Sequence, residues 1–157
     1  MKVFISHKDS DRTTALKVLA VLKNNNVEAY LDLLDNSIVQ KGELLTRHIK
    51  SKLNECTDIL VVMSERTKNS WWVPFEIGMA AQKDLPTVSY LQSGVELPNY
   101  LSYWPRLKSD DDIVKYINIR LRVKRQILAE QMNQHTVFAN GISETQRFYD
   151  ELKRQLI

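Results

Sequence analysis

Glu76 closes the run SERTKNSWWVPFE (residues 64–76), and its surroundings suit it to chemistry. At helical spacing Trp72 and Val73 lie one turn before it and Met79 and Ala80 one turn after, so no Lys or Arg stands at i±3 or i±4 to pair with it. A carboxylate flanked this way is partly desolvated, and its pKa should rise, as at many catalytic acids and bases. The plainer alternative is a glutamate that reaches water beside the tryptophan. Trp72, at i−4, shares a helix face with Glu76 and either walls a pocket there or packs into the core.

Other chemistries find little support. His7, His48 and His135 have no second histidine at metal-ligand spacing, so no metal site is expected. There is no G-x-S-x-G elbow. The four glycines (Gly42, Gly78, Gly94 and Gly141) build neither a GxGxxG nor a P-loop. Cys56 ends an apolar helical stripe and reads as packing rather than as a nucleophile. As the single cysteine it can form no internal disulfide, which fits a reducing, cytoplasmic setting.

The 157 residues suit one domain, with 43% apolar and 26% charged side chains. No run approaches the roughly 18 apolar residues of a membrane span, and the start turns polar after Ile5, so neither a membrane nor a secretory route is expected. Lys and Arg exceed Asp and Glu by 22 to 19, a net +3 concentrated in Arg120, Arg122, Lys124 and Arg125. That stretch alternates with apolar residues, contains no base-reading module, and lies late in a helix opened by Asp110, Asp111 and Asp112, where cations suit the helix dipole. It reads as a solvated helix face, and no nucleic-acid partner is expected.

The elements that must position Glu76 follow from periodicity. Val3-Phe4-Ile5 reads as a strand. Ser10 or Asp11 can cap a helix with Ala15, Leu16, Leu19 and Leu22 on one face, stopped by Asn24-Asn25-Asn26. Val27–Leu31 is a second strand; a loop then leads to a helix striped by Leu45, Ile49, Leu53 and Cys56. Ile59–Met63 is apolar throughout, as a parallel strand covered on both faces requires. Ser70 caps the helix carrying Glu76, with Pro74 in its first turn. Thr87–Leu91 is a fourth strand and Trp104–Leu107 a short edge strand. Asp110 opens a long helix with Ile113, Ile117, Leu121 and Leu128 on one side. After a break near Asn133–Gly141, Ser143 and Gln146 form a capping box for a last helix. Strands alternating with helices predict a parallel sheet in an α/β/α sandwich, with ligands at the carboxyl ends of its strands.

The opening VFISHKDSD, the segment VEAYLD with its following loop, and above all SERTKNSWWVPFE resemble a bacterial Toll/interleukin-1 receptor (TIR) domain, over residues 1 to about 125. Ser64, Ser70, Trp72-Val73 and Glu76 match the family pattern of serine, spacer, second serine, Trp-Val and catalytic glutamate. His7 departs from it, standing where the family usually has an aromatic residue. The resemblance implies a three-layer, flavodoxin-like fold with a parallel sheet of about five strands, a TIR domain over 1–134, and a C-terminal extension over 135–157 with one helix.

The family holds both signalling scaffolds and enzymes that cleave NAD, and the enzymes carry a glutamate where Glu76 stands. The resemblance therefore implies an NAD glycohydrolase or cyclase, with Glu76 catalytic and Ser6, His7, Lys8, Asp35 and Trp72 around the substrate. NAD is then the substrate, and no further cofactor is implied. It also implies self-association through the loop Leu33–Gly42, with its apolar Leu33, Leu34, Ile38 and Val39. Similar proteins include NAD-cleaving subunits of Thoeris-type anti-phage systems, which signal to a separate effector protein. Two other readings stay open: a non-enzymatic TIR interaction module, and a glycosidase resembling nucleoside deoxyribosyltransferases.

Overall fold

In a computed structural model, which describes residues 1–31, 42–67, 70–97, 99–132 and 143–156, five parallel strands form one sheet. The elements are β1 (Lys2–Ser6), α1 (Arg12–Asn24), β2 (Glu28–Leu31), α2 (Gly42–Glu55), β3 (Asp58–Met63), α3 (Trp72–Gln82), β4 (Thr87–Leu91), β5 (Arg106–Leu107), α4 (Asp110–Met132) and α5 (Glu144–Gln155). The spatial order β2-β1-β3-β4-β5 reverses direction between β1 and β3. In such sheets a ligand crevice opens at the carboxyl edge beside that switch point.

Alternation along the strands divides the core. Val3, Ile5, Leu60, Val62 and Val88 face α1, α4 and α5, whereas Phe4, Ile59, Val61 and Met63 face α2 and α3. The α2 stripe is buried as expected at Leu45, Ile49 and Leu53, and Cys56 lies buried just beyond the helix end. Burial also pushes the Cys56 thiol pKa up. Two helix stripes differ from expectation. In α1 the inward residues are Ala15, Val18 and Leu22, and Leu16 is 45% exposed. In α4 they are Ile113, Tyr116, Ile117, Ile119, Arg120 and Val123, and Leu128 points outward. Beyond Val123 no residue of α4 is buried, and Ile127 alone still packs partly against the core.

Helix ends are built from local backbone chemistry. Asn26 adopts φ 57°, its N–H reaches the Lys23 carbonyl, and the Val27 N–H reaches that of Leu22, both at 3.0 Å. Asp84 repeats this αL ending after α3, with N–H donors at 84 and 85 on the carbonyls of Ala81 and Ala80. Asn and Asp tolerate the left-handed region better than other side chains, so neither ending needs glycine.

At the amino edge of the sheet a buried ion network staples the C-terminal helix to the core. Arg120 donates from Nε to Asp58 at 2.8 Å and from Nη1 to Glu144 at 2.5 Å, and its guanidinium lies over the Phe148 ring. Arg120 is only 8% exposed, which corrects its assignment to a solvated basic face; Arg122, Lys124 and Arg125 do face solvent. Burial raises the Asp58 carboxyl pKa against the pull of Arg120, and desolvation drives the Tyr116 phenol well above its ordinary value. The Tyr149 hydroxyl accepts the Thr87 N–H at 2.9 Å, and burial pushes its pKa up to about 12. Ser143 caps α5 by accepting the Gln146 N–H, but the Gln146 side chain bonds Asp150 and Tyr103 instead of returning to complete a capping box.

Arg120→Ala would leave Asp58 buried without its cation, and should lower the unfolding free energy by about 3–5 kcal/mol. Urea titration measures this; a loss below about 1 kcal/mol would mean that Asp58 is satisfied by other means.

Candidate functional site

The carboxyl edge of the sheet gathers β1, α3 and the loop after β3. β1 ends at Ser6, in register with Val61 of the fully buried β3. Val73, Ile77 and Ala80 turn one face of α3 into the core, which brings Glu76 beside that stripe and over the end of β1. Glu76 is only 2% exposed, and Ser6, fully buried, donates its hydroxyl to the Glu76 carboxylate. The sequence reading of a partly desolvated carboxylate therefore understates its burial. The plainer reading, a side chain reaching water, does not hold.

Ser70 accepts the N–H groups of Trp72 and Val73 at 3.2 and 3.4 Å, one residue further out than a regular N-cap. Trp72 is half-buried, stacks on Phe75 with ring centroids 5.1 Å apart, and packs against the core face shared with Phe4 and Ile59. The packing reading of Trp72 thus accounts for part of its ring system. Its indole N–H is buried and meets no acceptor among the described residues. Trp71, its neighbour, is 95% exposed.

Of the residues singled out in the sequence, Ser6 and Glu76 touch, and Trp72 stands one helical turn from Glu76. His7 follows Ser6 and is half-buried. Lys8 is exposed and extends Nζ to the Arg66 carbonyl at 3.4 Å, which ties it to the loop after β3. Asp35, with Lys41 and most of the loop 33–42, lies outside the described residues.

One group escaped sequence reasoning. Asp11 precedes α1 but does not cap it; nor does Ser10, which sits inside a short 3₁₀ turn. The Asp11 carboxylate instead accepts the hydroxyls of Ser64, at 2.7 Å, and Thr67. The spacing Ser64-x-x-Thr67 hints at a local side-chain turn, but nothing local points to a carboxylate 53 residues away.

Chemically, the site offers a buried carboxylate that accepts from Ser6, with Trp72 one helical turn away. It can stabilise a developing positive charge or accept hydrogen bonds from sugar hydroxyls. Among the described residues no group of three or more His, Cys, Asp and Glu could hold a metal ion, and no helix is long and apolar enough to cross a membrane.

Ser6→Ala would leave the buried Glu76 one donor short and should lower stability by about 1–3 kcal/mol. Glu76→Gln keeps an amide oxygen for Ser6 and should cost less than that in the same denaturant titration. The opposite ranking would mean that Ser6 does not support the carboxylate.

No curated protein matches the chain. A family model described as TIR domain matches residues 3–92, from β1 through β4 and including Ser6, Ser64, Ser70, Trp72 and Glu76. With more than half of its length matched and the five-stranded parallel sheet the resemblance implied, the chain belongs to the TIR domain family.

Proposed function

We propose that this TIR domain cleaves the nicotinamide–ribose bond of NAD, with Glu76 as the catalytic residue. The observation that carries this reading is a nearly fully buried glutamate, hydrogen-bonded by Ser6, at the sheet edge where α/β ligands bind.

One carboxylate suffices for this bond. Nicotinamide departs as a neutral amine from a cationic nitrogen, so no second carboxyl group has to protonate it, unlike an ordinary glycoside. Breaking the bond leaves positive charge on the ribose ring, which the Glu76 carboxylate stabilises while it accepts from the ribose hydroxyls. Attack by water at the anomeric carbon gives ADP-ribose, nicotinamide and a proton; attack by a ring nitrogen of the same adenine gives a cyclic product. Trp72 walls the nicotinamide–ribose end. Lys8 and His7 are assigned to phosphate or ribose because they follow β1, and Asp35 is proposed on the loop side. Ser6 serves this site by holding Glu76 rather than by touching phosphate.

The biological setting we propose is a cytoplasmic signal generator in anti-phage defence, whose nucleotide product acts on a separate effector protein. A non-enzymatic interaction module is the second reading, favoured by the fully exposed Trp71 and the partly exposed Phe75 on the same helix start.

Incubating the purified protein with NAD and analysing the products by mass spectrometry tests the proposal. NAD should disappear, and Glu76→Gln should slow the loss at least ~10²-fold while remaining folded. NAD left intact even by concentrated protein favours the interaction module, and turnover of deoxynucleosides instead favours the deoxyribosyltransferase-like glycosidase. In a separate dilution series, specific activity should rise with protein concentration, because we propose that self-association through the loop 33–42 completes the pocket. Ile38→Asp should suppress that rise. Activity that stays flat in a protein monomeric throughout would exclude it.

A further inference from the structure

Neither strand order nor the proposed bond cleavage requires the buried group around Asp11, yet it is fully built. Asp11 is 4% exposed, and Ser64 and Thr67, its two hydroxyl donors, are buried with it. The Ser64 Oγ also accepts the backbone N–H groups of Arg66 and Thr67, each at 3.1 Å. A serine hydroxyl has one proton and two lone pairs. With both lone pairs engaged by backbone, its proton is left to donate. Asp11 at 2.7 Å is a nearer acceptor than the Thr67 hydroxyl at 3.2 Å, so the carboxylate is the acceptor on which the turn after β3 closes.

The chain of contacts continues toward the site. The Thr67 carbonyl accepts the Ser70 N–H at 2.9 Å. Ser70 in turn receives the N–H groups of Trp72 and Val73, the first residues of α3. One turn later Glu76 returns to Ser6 on β1, five residues before Asp11. The circuit closes on itself: β1, the turn before α1, the loop after β3, the start of α3, and back to β1.

We propose that Asp11 is a positioning residue, clamping the loop after β3 and thereby setting where α3 begins and where it aims the Glu76 carboxylate. Its effect on turnover rests on the reading of Glu76 as catalytic; the clamp itself does not. Removing Asp11 frees two buried hydroxyls to seek other acceptors and releases the loop that defines the first turn of α3. Displacements of about 1 Å at a reacting group can cost on the order of 10²-fold in rate.

The test pairs kinetics with amide hydrogen exchange. In Asp11→Ala, kcat for NAD should fall at least ~10-fold while KM stays within ~3-fold, since substrate contacts are untouched and only alignment is lost. Asp11→Asn retains an oxygen acceptor in the same place and should recover most of kcat. In Asp11→Ala, exchange at Arg66, Thr67, Ser70, Trp72 and Val73 should speed up at least ~10-fold, while the amides of residues 59–63 keep their protection. If Asp11→Ala does not fold, Ser64→Ala and Thr67→Val break the same clamp from its other side, with the same two readouts. Unchanged exchange over residues 66–73 overturns the clamp, and faster exchange with kcat untouched overturns its role in positioning. Should the wild-type protein leave NAD intact, the catalytic reading of Glu76 falls, and the exchange measurement alone still decides whether Asp11 holds the loop.

Discussion

The hydrogen bond from Ser6 to Glu76 sits where the demands of fold and site meet. A carboxylate taken out of water costs several kcal/mol unless polar partners replace its hydration. Ser6 can be that partner because β1 ends at the carboxyl edge of the sheet, in register with Val61 of β3. Glu76 can reach it because Val73, Ile77 and Ala80 hold α3 against the opposite sheet face from α1. Shift β1 by one residue and Ser6 would point to the other face, since side chains alternate along a strand. The position of one glutamate thus depends on strand register and on helix rotation together.

The two ends of the sheet solve the problem of buried charge differently. At the amino end Asp58 is met by the guanidinium of Arg120, which also reaches Glu144 and so ties the C-terminal helix to the core. Tyr149 adds a second tie on the Thr87 N–H, and Thr145 a third on the Asp84 carbonyl. At the carboxyl end the buried carboxylates of Asp11 and Glu76 are met by serine and threonine hydroxyls. Hydroxyls orient a carboxylate without neutralising it.

Much of this was readable along the chain. The apolar run 59–63 marked the central strand, Thr87–Leu91 the next, and the proline at 105 the short edge strand. The triplet Asn24-Asn25-Asn26 marked a helix end, and the flanks of Glu76 marked a carboxylate with no cation on its own helix. These signals are local: they depend on side-chain period, turn chemistry and neighbours within one helical turn. They failed where position within the molecule overrides period. Leu128 keeps helical spacing yet faces water, and Arg120 is buried because a carboxylate on β3 waits for it.

The sequence by itself determined the order of the elements, the parallel sheet they build, and the residue type that carries the candidate chemistry. Only the tertiary structure decided which side chains meet that residue. Ser6 reaches Glu76 across 70 positions, and Asp11 reaches Ser64 across 53. Asp11 had a good local use as a helix cap and took a distant one. The physical reason is that hydrogen-bond partners are chosen by proximity in the folded state, where burial removes water as the competing partner, and no pattern of nearby residues encodes which distant strand end will be close.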